Sequence, residues 1–388
     1  MRRFLLLSIK VVFFIYLVFL TAACGFMEET AFLPSSSTPP GPPWWNNSWS
    51  YRIELIFDNS GQTEDLVDFP VCVRLDSSRI SYDRTADSGE DLRFVDTDGT
   101  VLPHEIEVWD KSGESVIWVK SPLIDGGSDS DSVWLYFGNP GALDAQNIPA
   151  VWSSGYATVL HLDETSGSYK DSSGNDRAGE AINGITRGVA GKVGPCAHFD
   201  GGDDYIALDM SYSGQGAVPL LTISVWFRTT FSGAAYNDNW AFVDFDRSDF
   251  YDFYITADTG ALEFSTTASS GGTDDFVADT AGLNDGAWHL AWAVYDGTDK
   301  LVYLHDALDG TSPNPHGGAG LGSSSTRWGF VADGSEATTY DGTRNNIYYE
   351  GLMDEVRISH TARSGDWIGA QYLSMNDGFI GYGPEQSR

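Results

Sequence analysis

The stretch Leu221-Thr-Ile-Ser-Val-Trp-Phe-Arg228 decides how this chain is read. Leu221, Ile223, Val225 and Phe227 face one way and Thr222, Ser224, Trp226 and Arg228 the other, which is the two-residue period of a β-strand. The same reading extends outward. Residues 286–295 and 300–305 form a hairpin across Asp296-Gly297, and 348–358 is another strand. Upstream, a strand at 157–162 follows short segments at 51–57, 69–75, 91–95, 105–109, 115–120 and 132–137, with Gly/Asp turns among them. Strands at such spacing, with no helical period between them, predict sandwiches or jelly rolls. One helix is expected over 364–375, where Ser364 supplies the N-cap and Ile368, Tyr372 and Met375 share a face. Residues 379–382 add a last short strand. The polar, proline-containing run 142–149 marks a boundary. The fold class is therefore all-β, with two β-sandwiches in tandem over 44–148 and 149–388.

Composition agrees. The 388 residues include 13 Trp, 18 Tyr, 21 Phe and 43 Gly, as strands joined by tight turns require. The 22 Lys and Arg against 55 Asp and Glu leave a formal charge of −33. Without residues 1–23, which carry Arg2, Arg3 and Lys10, the balance is 19 against 55, or −36. A surface this acidic repels nucleic acid and anionic membrane, so nucleic-acid binding is excluded. It suits a soluble exported protein and hard cations such as calcium. Of the three cysteines, Cys72 and Cys196 fall in different sandwiches and read as separate buried thiols.

The third, Cys24, ends an export signal. Arg2, Arg3 and Lys10 precede the uncharged run 11–20, and Thr21-Ala-Ala-Cys24 closes it. Residues 11–23 number thirteen, short of the ~20 that span a bilayer as a helix. The ending resembles the lipobox of bacterial lipoproteins, with Thr21 where that family usually has Leu. The resemblance implies cleavage before Cys24 and its lipidation. An ordinary signal peptide cleaved after Ala23 and an uncleaved anchor over 1–23 are the alternatives. Residues 24–43 form a Pro/Ser-rich tether, extended to roughly 60 Å at ~3.1 Å per residue.

Several motifs of the second sandwich stand in a familiar order. His161-Leu-Asp-Glu-Thr, Asp171-Ser-Ser-Gly-Asn-Asp, Ala197-His-Phe-Asp-Gly-Gly-Asp-Asp-Tyr-Ile206, the 221–228 strand, Trp288-His289 and Gly351-Leu-Met-Asp-Glu-Val-Arg-Ile358 resemble the LamG-like, concanavalin A-like lectin/glucanase superfamily. The resemblance covers most of 155–362 and implies a two-sheet jelly roll. Phe69-Pro-Val, Gly89-Glu-Asp-Leu-Arg-Phe94, Asp98-Gly-Thr-Val-Leu-Pro-His-Glu-Ile-Glu107, Val116-Ile-Trp-Val-Lys120 and Leu135-Tyr-Phe-Gly-Asn-Pro140 resemble a bacterial domain of uncharacterised function that often precedes such domains. Several LamG-like domains hold a structural calcium ion. The resemblance implies Asp171, Asp200, Asp203 and Asp354 as its ligands here, although each also suits a turn or strand-end cap.

Other constellations carry less. Asp244, Asp246 and Asp249, with Glu263 downstream, form an acidic cluster. Phe242-Val-Asp-Phe-Asp-Arg-Ser-Asp249 lacks the glutamates of the superfamily's glucanase pattern, and no Gly-x-Ser-x-Gly elbow occurs. No catalytic residue is assigned. Asp96-Thr-Asp-Gly99 reads as a hairpin turn, not an EF-hand start. His161, His198 and His289 read as core residues of apolar strands, and Trp44, Trp45 and Trp49 as a plug at the end of the first sandwich. Trp240, Trp288, Trp292 and Trp328 are candidates for sugar stacking, with core packing as the default; Trp240 and Trp328 are assigned to ligand binding. The sequence thus predicts an exported, lipid-anchored cell-surface protein that binds a glycan or an extracellular protein and meets the membrane only through its anchor. The alternatives are a divergent glycoside hydrolase or lyase, marked by an acid pair facing a cleft, and a structural spacer, marked by flat faces.

Overall fold

The computed structural model describes residues 43–213, 216–233, 240–323, 325–334 and 347–388. The signal, Cys24 and the tether up to residue 42 lie outside the described residues. No helix among the described residues is long and apolar enough to cross a membrane.

The 221–228 strand sits inside an eight-stranded antiparallel sheet, between Glu350–Ser359 and His289–Tyr295. Lys300–Leu304 and Ala307–Ser312 continue to one edge, and Pro195–Asp200 and Thr186–Ala190 to the other. Tyr156–Leu160 also pairs with Glu350–Ser359. A seven-stranded sheet faces it, in the order Thr273–Val277, Leu262–Thr267, Tyr251–Ile255, Trp240–Asp244, Arg327–Val331, Tyr205–Tyr212 and Gly179–Ile182. Leu221, Ile223, Val225 and Phe227 share one buried cluster with Phe242, Phe253, Phe264 and Val331 of that second sheet. This is the expected jelly-roll sandwich. The hairpin turn at 296–299 forms as read, with Thr298 N donating to Asp296 Oδ1 at 2.8 Å and Gly297 at φ +92°, a backbone that favours glycine.

The first sandwich has a six-stranded sheet, ordered Ile380–Tyr382, Tyr51–Phe57, Ser132–Phe137, Arg93–Asp96 and Val101–Leu102, with Gln386–Ser387 also on Tyr51–Phe57. A three-stranded sheet of Leu66–Leu75, Ser115–Ile124 and His104–Val108 accompanies it. The Asp96–Gly99 segment is the hairpin turn of the first sheet, Gly99 N donating to Asp96 O at 2.9 Å. Trp44, Trp45 and Trp49 do not plug the end of this sandwich. They pack with Val95, Trp134 and Tyr136 on the outer face of the six-stranded sheet, because Phe94, Leu135 and Phe137 take the inner one.

The chain end departs from the tandem reading. The last strands belong to the first sandwich, pairing Leu55 with Tyr382 and Arg52 with Gln386. The run 142–149 does not separate two bodies either. Ile106 N donates to Gln146 Oε1 at 2.6 Å and Asn147 N to His104 O at 3.0 Å, so this run is bonded to His104–Val108. Residues 44–388 form one compact unit.

The cause is visible on the 221–228 strand, which is buried on both faces. Thr222 and Ser224 are each 3 % exposed and Trp226 1 %, and Arg228 alone reaches solvent. The helix Gly365–Met375 covers this second face, capped by Ser364 Oγ, which accepts from Trp367 N at 3.1 Å. Trp226 Nε1 donates to Met375 Sδ at 3.3 Å, and its ring stacks on Tyr372 with centroids 6.0 Å apart. Trp367 meets Trp292 of the eight-stranded sheet edge-on at 6.2 Å and Phe69 of the three-stranded sheet at 5.2 Å. Gln371 Nε2 donates to Pro70 O at 2.6 Å, and Ser374 Oγ accepts from Cys72 N at 2.8 Å. The helix is thus buried on more than its expected face. Cys72 and Cys196 are free and buried, and burial pushes each thiol up to about 12.

The buried cluster that joins the two sandwiches implies one transition. Calorimetry of the full chain is expected to give a single cooperative unfolding event, and Trp226→Ala to lower the stability of the whole unit by about 3–5 kcal/mol. Two separable transitions, only one of them shifted, would refute the shared core. His104 provides a pH test. Burial, helped by Arg93, pushes its imidazole down to about 4, against about 6.5 in the unfolded chain. The unfolded state therefore binds the extra proton first, and stability falls as pH drops from 6.5 towards 4. Between pH 7 and pH 5 the loss is about 2 kcal/mol. Urea titrations should show it in the native chain and not in His104→Gln; equal slopes for the two would sink this assignment.

Candidate ligand-binding site

The outer face of the seven-stranded sheet follows from strand alternation. Along Tyr205–Tyr212, Ile206, Leu208, Met210 and Tyr212 enter the core, so Tyr205, Ala207 and Asp209 face outward. On the neighbouring strands Ala207 and Phe330 form a small buried cluster with Ile182, Tyr205 and Trp328 packed against it. At the edge of this aromatic patch lies a cleft of about 430 Å³ lined by Ser168, Ala178, Glu180, Asp209 and Trp328, within the usual size range of small-ligand sites. Glu180 stands opposite Ala207 in the ladder, which makes it a diagonal neighbour of Asp209 on the same face. Asp209 N donates to Ala178 O at 2.8 Å and closes the cleft's end. An indole beside two exposed carboxylates offers an apolar face and hydrogen-bond acceptors within one sugar's width.

The sequence-read acidic cluster is mostly a turn. Asp246 and Asp249 are ion-paired with Arg327, and Asp244 Oδ1 accepts from Asp246 N at 2.7 Å. Glu263 lies apart, opposite Tyr254 in the ladder, with Ser265 Oγ donating to Glu263 Oε1 at 3.1 Å. Burial pushes its carboxyl up. Asp252 stands opposite both Asp244 and Ser265.

The four aspartates proposed for calcium do not converge. Asp171 accepts from the backbone of Val159, Ser173 and Arg177 at 2.9–3.0 Å and organises its own turn. Asp354 is fully buried, and its Oδ2 accepts from Lys192 N at 2.7 Å and Val193 N at 2.9 Å. Both carboxylates serve backbone amides, which explains their separation from the others. Asp200 and Asp203 do come together, with Asp204 as the third member. Asp204 bridges Gly184 N at 2.6 Å and Asp200 N at 3.3 Å; burial first, then Asp200 and Asp203, pushes its carboxyl up.

Trp328 is half-buried at the cleft. Trp240 begins the strand Trp240–Asp244, and its side chain lies outside the described residues. Trp288 and Trp292 pack into the core shared with the first sandwich. His161 and His289 are buried, and both ring nitrogens of each have partners. His198 instead lines a small cleft with Arg228 and Glu350. Sequence reasoning missed Glu180, Asp209 and Asp204. The alternation of Tyr205-Ile-Ala-Leu-Asp-Met-Ser-Tyr212 was the signal for Asp209.

Residues 88–175 match the model of a domain of unknown function, DUF2341, and residues 200–369 that of the concanavalin A-like lectin/glucanases superfamily. No curated protein matches the sequence. Among solved structures, the binding domain of Paraclostridial Mosquitocidal Protein 1 is 14% identical, with a TM-score of 0.44 over 57% of this chain and 53% of that one. The ligand-binding domain of botulinum neurotoxin serotype D, solved with N-acetylneuraminic acid, is 11% identical, with a TM-score of 0.41 over 58% and 52%. Domain 4 of an extracellular arabinanase from Geobacillus stearothermophilus, solved with arabinotriose, is 15% identical, with a TM-score of 0.38 over 55% and 97%. The chain thus spans about half the length of the first of these structures. Its two matched segments, 88–175 and 200–369, are thus similar, in that order, to a DUF2341 domain and a concanavalin A-like lectin/glucanase domain.

Proposed function

We propose that this protein is an exported, lipid-anchored binding protein that holds a neutral glycan on the outer face of its seven-stranded sheet. The observation that carries this reading is the cleft in which Trp328 stands beside Glu180 and Asp209. The indole stacks on a pyranose face, and the two carboxylates accept hydrogen bonds from its hydroxyls. Their charge, on a chain of −33, turns away anionic sugars. Export rests on residues 1–23 and the anchor on Cys24. Calcium, in this reading, is held by Asp200, Asp203 and Asp204 in the loop that joins the two sheets, with Asp171 and Asp354 as turn and loop ties.

A glycan array probed with the full chain is expected to report neutral sugars. Trp328→Ala should weaken binding by about tenfold, roughly 1–1.5 kcal/mol of lost stacking, with Tm unchanged. Binding to no glycan, or to anionic ones with Trp328→Ala unaffected, would overturn the reading. A second reading, glycoside hydrolysis, is favoured by the desolvated Glu263 carboxyl, since burial is how a general acid is kept protonated. Its test is release of reducing sugar from neutral polysaccharides. Hydrolysis abolished by Glu263→Gln would establish it, and no release by the native chain would remove it.

A further inference from the structure

A second constellation lies between the two sandwiches, away from the sheet face. Glu105 and Glu107 come from His104–Val108, His161 follows Tyr156–Leu160, and Asp354, Glu355 and Arg357 come from Glu350–Ser359. The side chains of His161, Glu105, Glu107 and Glu355 are 6 %, 7 %, 0 % and 1 % exposed. His161 Nδ1 is 2.7 Å from Glu355 Oε1 and 3.5 Å from Glu107 Oε2. One ligand atom from each of these three residues lies within 4.8 Å of the other two. Atoms sharing one ion at bonds of about 2.0–2.2 Å are separated by about 2.9 Å at right angles and about 3.4 Å at tetrahedral angles, so the spacing needs only small adjustment.

Each of the three is held from behind. His161 Nε2 is 3.3 Å from Glu105 Oε2, and Glu105 is itself fixed by Trp152 Nε1 at 2.6 Å and Ser172 Oγ at 2.7 Å. Trp118 Nε1 donates to Glu107 Oε2 at 2.6 Å, and Arg357 Nε to Glu355 Oε2 at 3.0 Å. A carboxylate behind the histidine and donors behind the carboxylates are the supports that metal ligands use. Two further observations point to a missing cation. The Glu107 Oε1 atom is buried without a hydrogen-bond partner, as is Asp354 Oδ1.

We propose that His161, Glu107 and Glu355 hold one divalent transition-metal ion, oriented by Glu105, that fastens the first sandwich to the second. The nitrogen ligand selects zinc or manganese over calcium. The ion is structural, since its ligands are closed off from solvent, and it is independent of the sugar cleft.

Elemental analysis of the full chain, purified without chelator, is expected to find about one zinc or manganese per molecule. Stripping the metal should lower Tm, and adding zinc or manganese chloride should restore it. Glu107→Gln should abolish both the bound metal and the restoration, while Asp176→Asn in an exposed loop should change neither. A metal-free chain whose Tm does not respond to either ion overturns the proposal, as does Glu107→Gln that retains the metal. Should the variant not fold, the metal content of the native chain and its response to chelator still decide.

Discussion

The back of the eight-stranded sheet is apolar, and the rest of the molecule is arranged to cover it. Trp226, Leu290, Trp292, Val294 and Tyr303 share one buried cluster with the core of the first sandwich. Each aromatic ring of this kind removes roughly 150–250 Å² from water, too much for a solvent-facing surface to leave bare. Gly365–Met375 lies across this face, and the first sandwich closes over the helix. The polar members of the strand are satisfied without water: Thr222 Oγ1 donates to Thr361 O at 2.7 Å and accepts from Arg363 N at 3.0 Å. What reads as a pair of beads is a stack: the interior of the first sandwich runs on to the back of the eight-stranded sheet, and the second sandwich keeps a core of its own between its sheets.

That stack sets how much of the fold was legible. The 221–228 strand, the hairpin at 296–299 and the Ser364 cap were readable because each depends on neighbours a few residues away. The burial of Thr222 and Ser224 was not, since alternation with polar residues is also what a solvated sheet face displays. The return of 380–387 to the first sheet was equally hidden, because pairing Leu55 with Tyr382 spans almost the whole chain. At the candidate site Trp328 was readable by its chemistry. Glu180 and Asp209 become partners only when Gly179–Ile182 pairs with Tyr205–Tyr212, a register that no local pattern encodes.

The acidic composition also divides by role. Asp91 Oδ2 accepts from Gly138 N at 2.7 Å and Asn139 N at 3.1 Å, while its Oδ1 takes Ala86 N at 2.9 Å. Asp171 and Asp354 do the same work in other loops. A carboxylate has about four acceptor positions and no donor, which lets one side chain gather several backbone amides where a long connection would otherwise leave them unmet. A share of the net charge is therefore architectural. Other carboxylates, at Glu180, Asp209, Asp200 and Asp203, stand at surfaces where a ligand or cation can meet them.

The pairing of the first strand with the last has a temporal meaning. The six-stranded sheet lacks Ile380–Tyr382 and Gln386–Ser387 until the second sandwich has been made, and the helix that fills the shared interior is made only shortly before them. The growing chain can gather strands, but it cannot complete the first sandwich before residues 380–387 are made. Contacts of such sequence separation are slow to form. A polypeptide with this connectivity therefore holds its first sheet open while the whole of the second sandwich is being made.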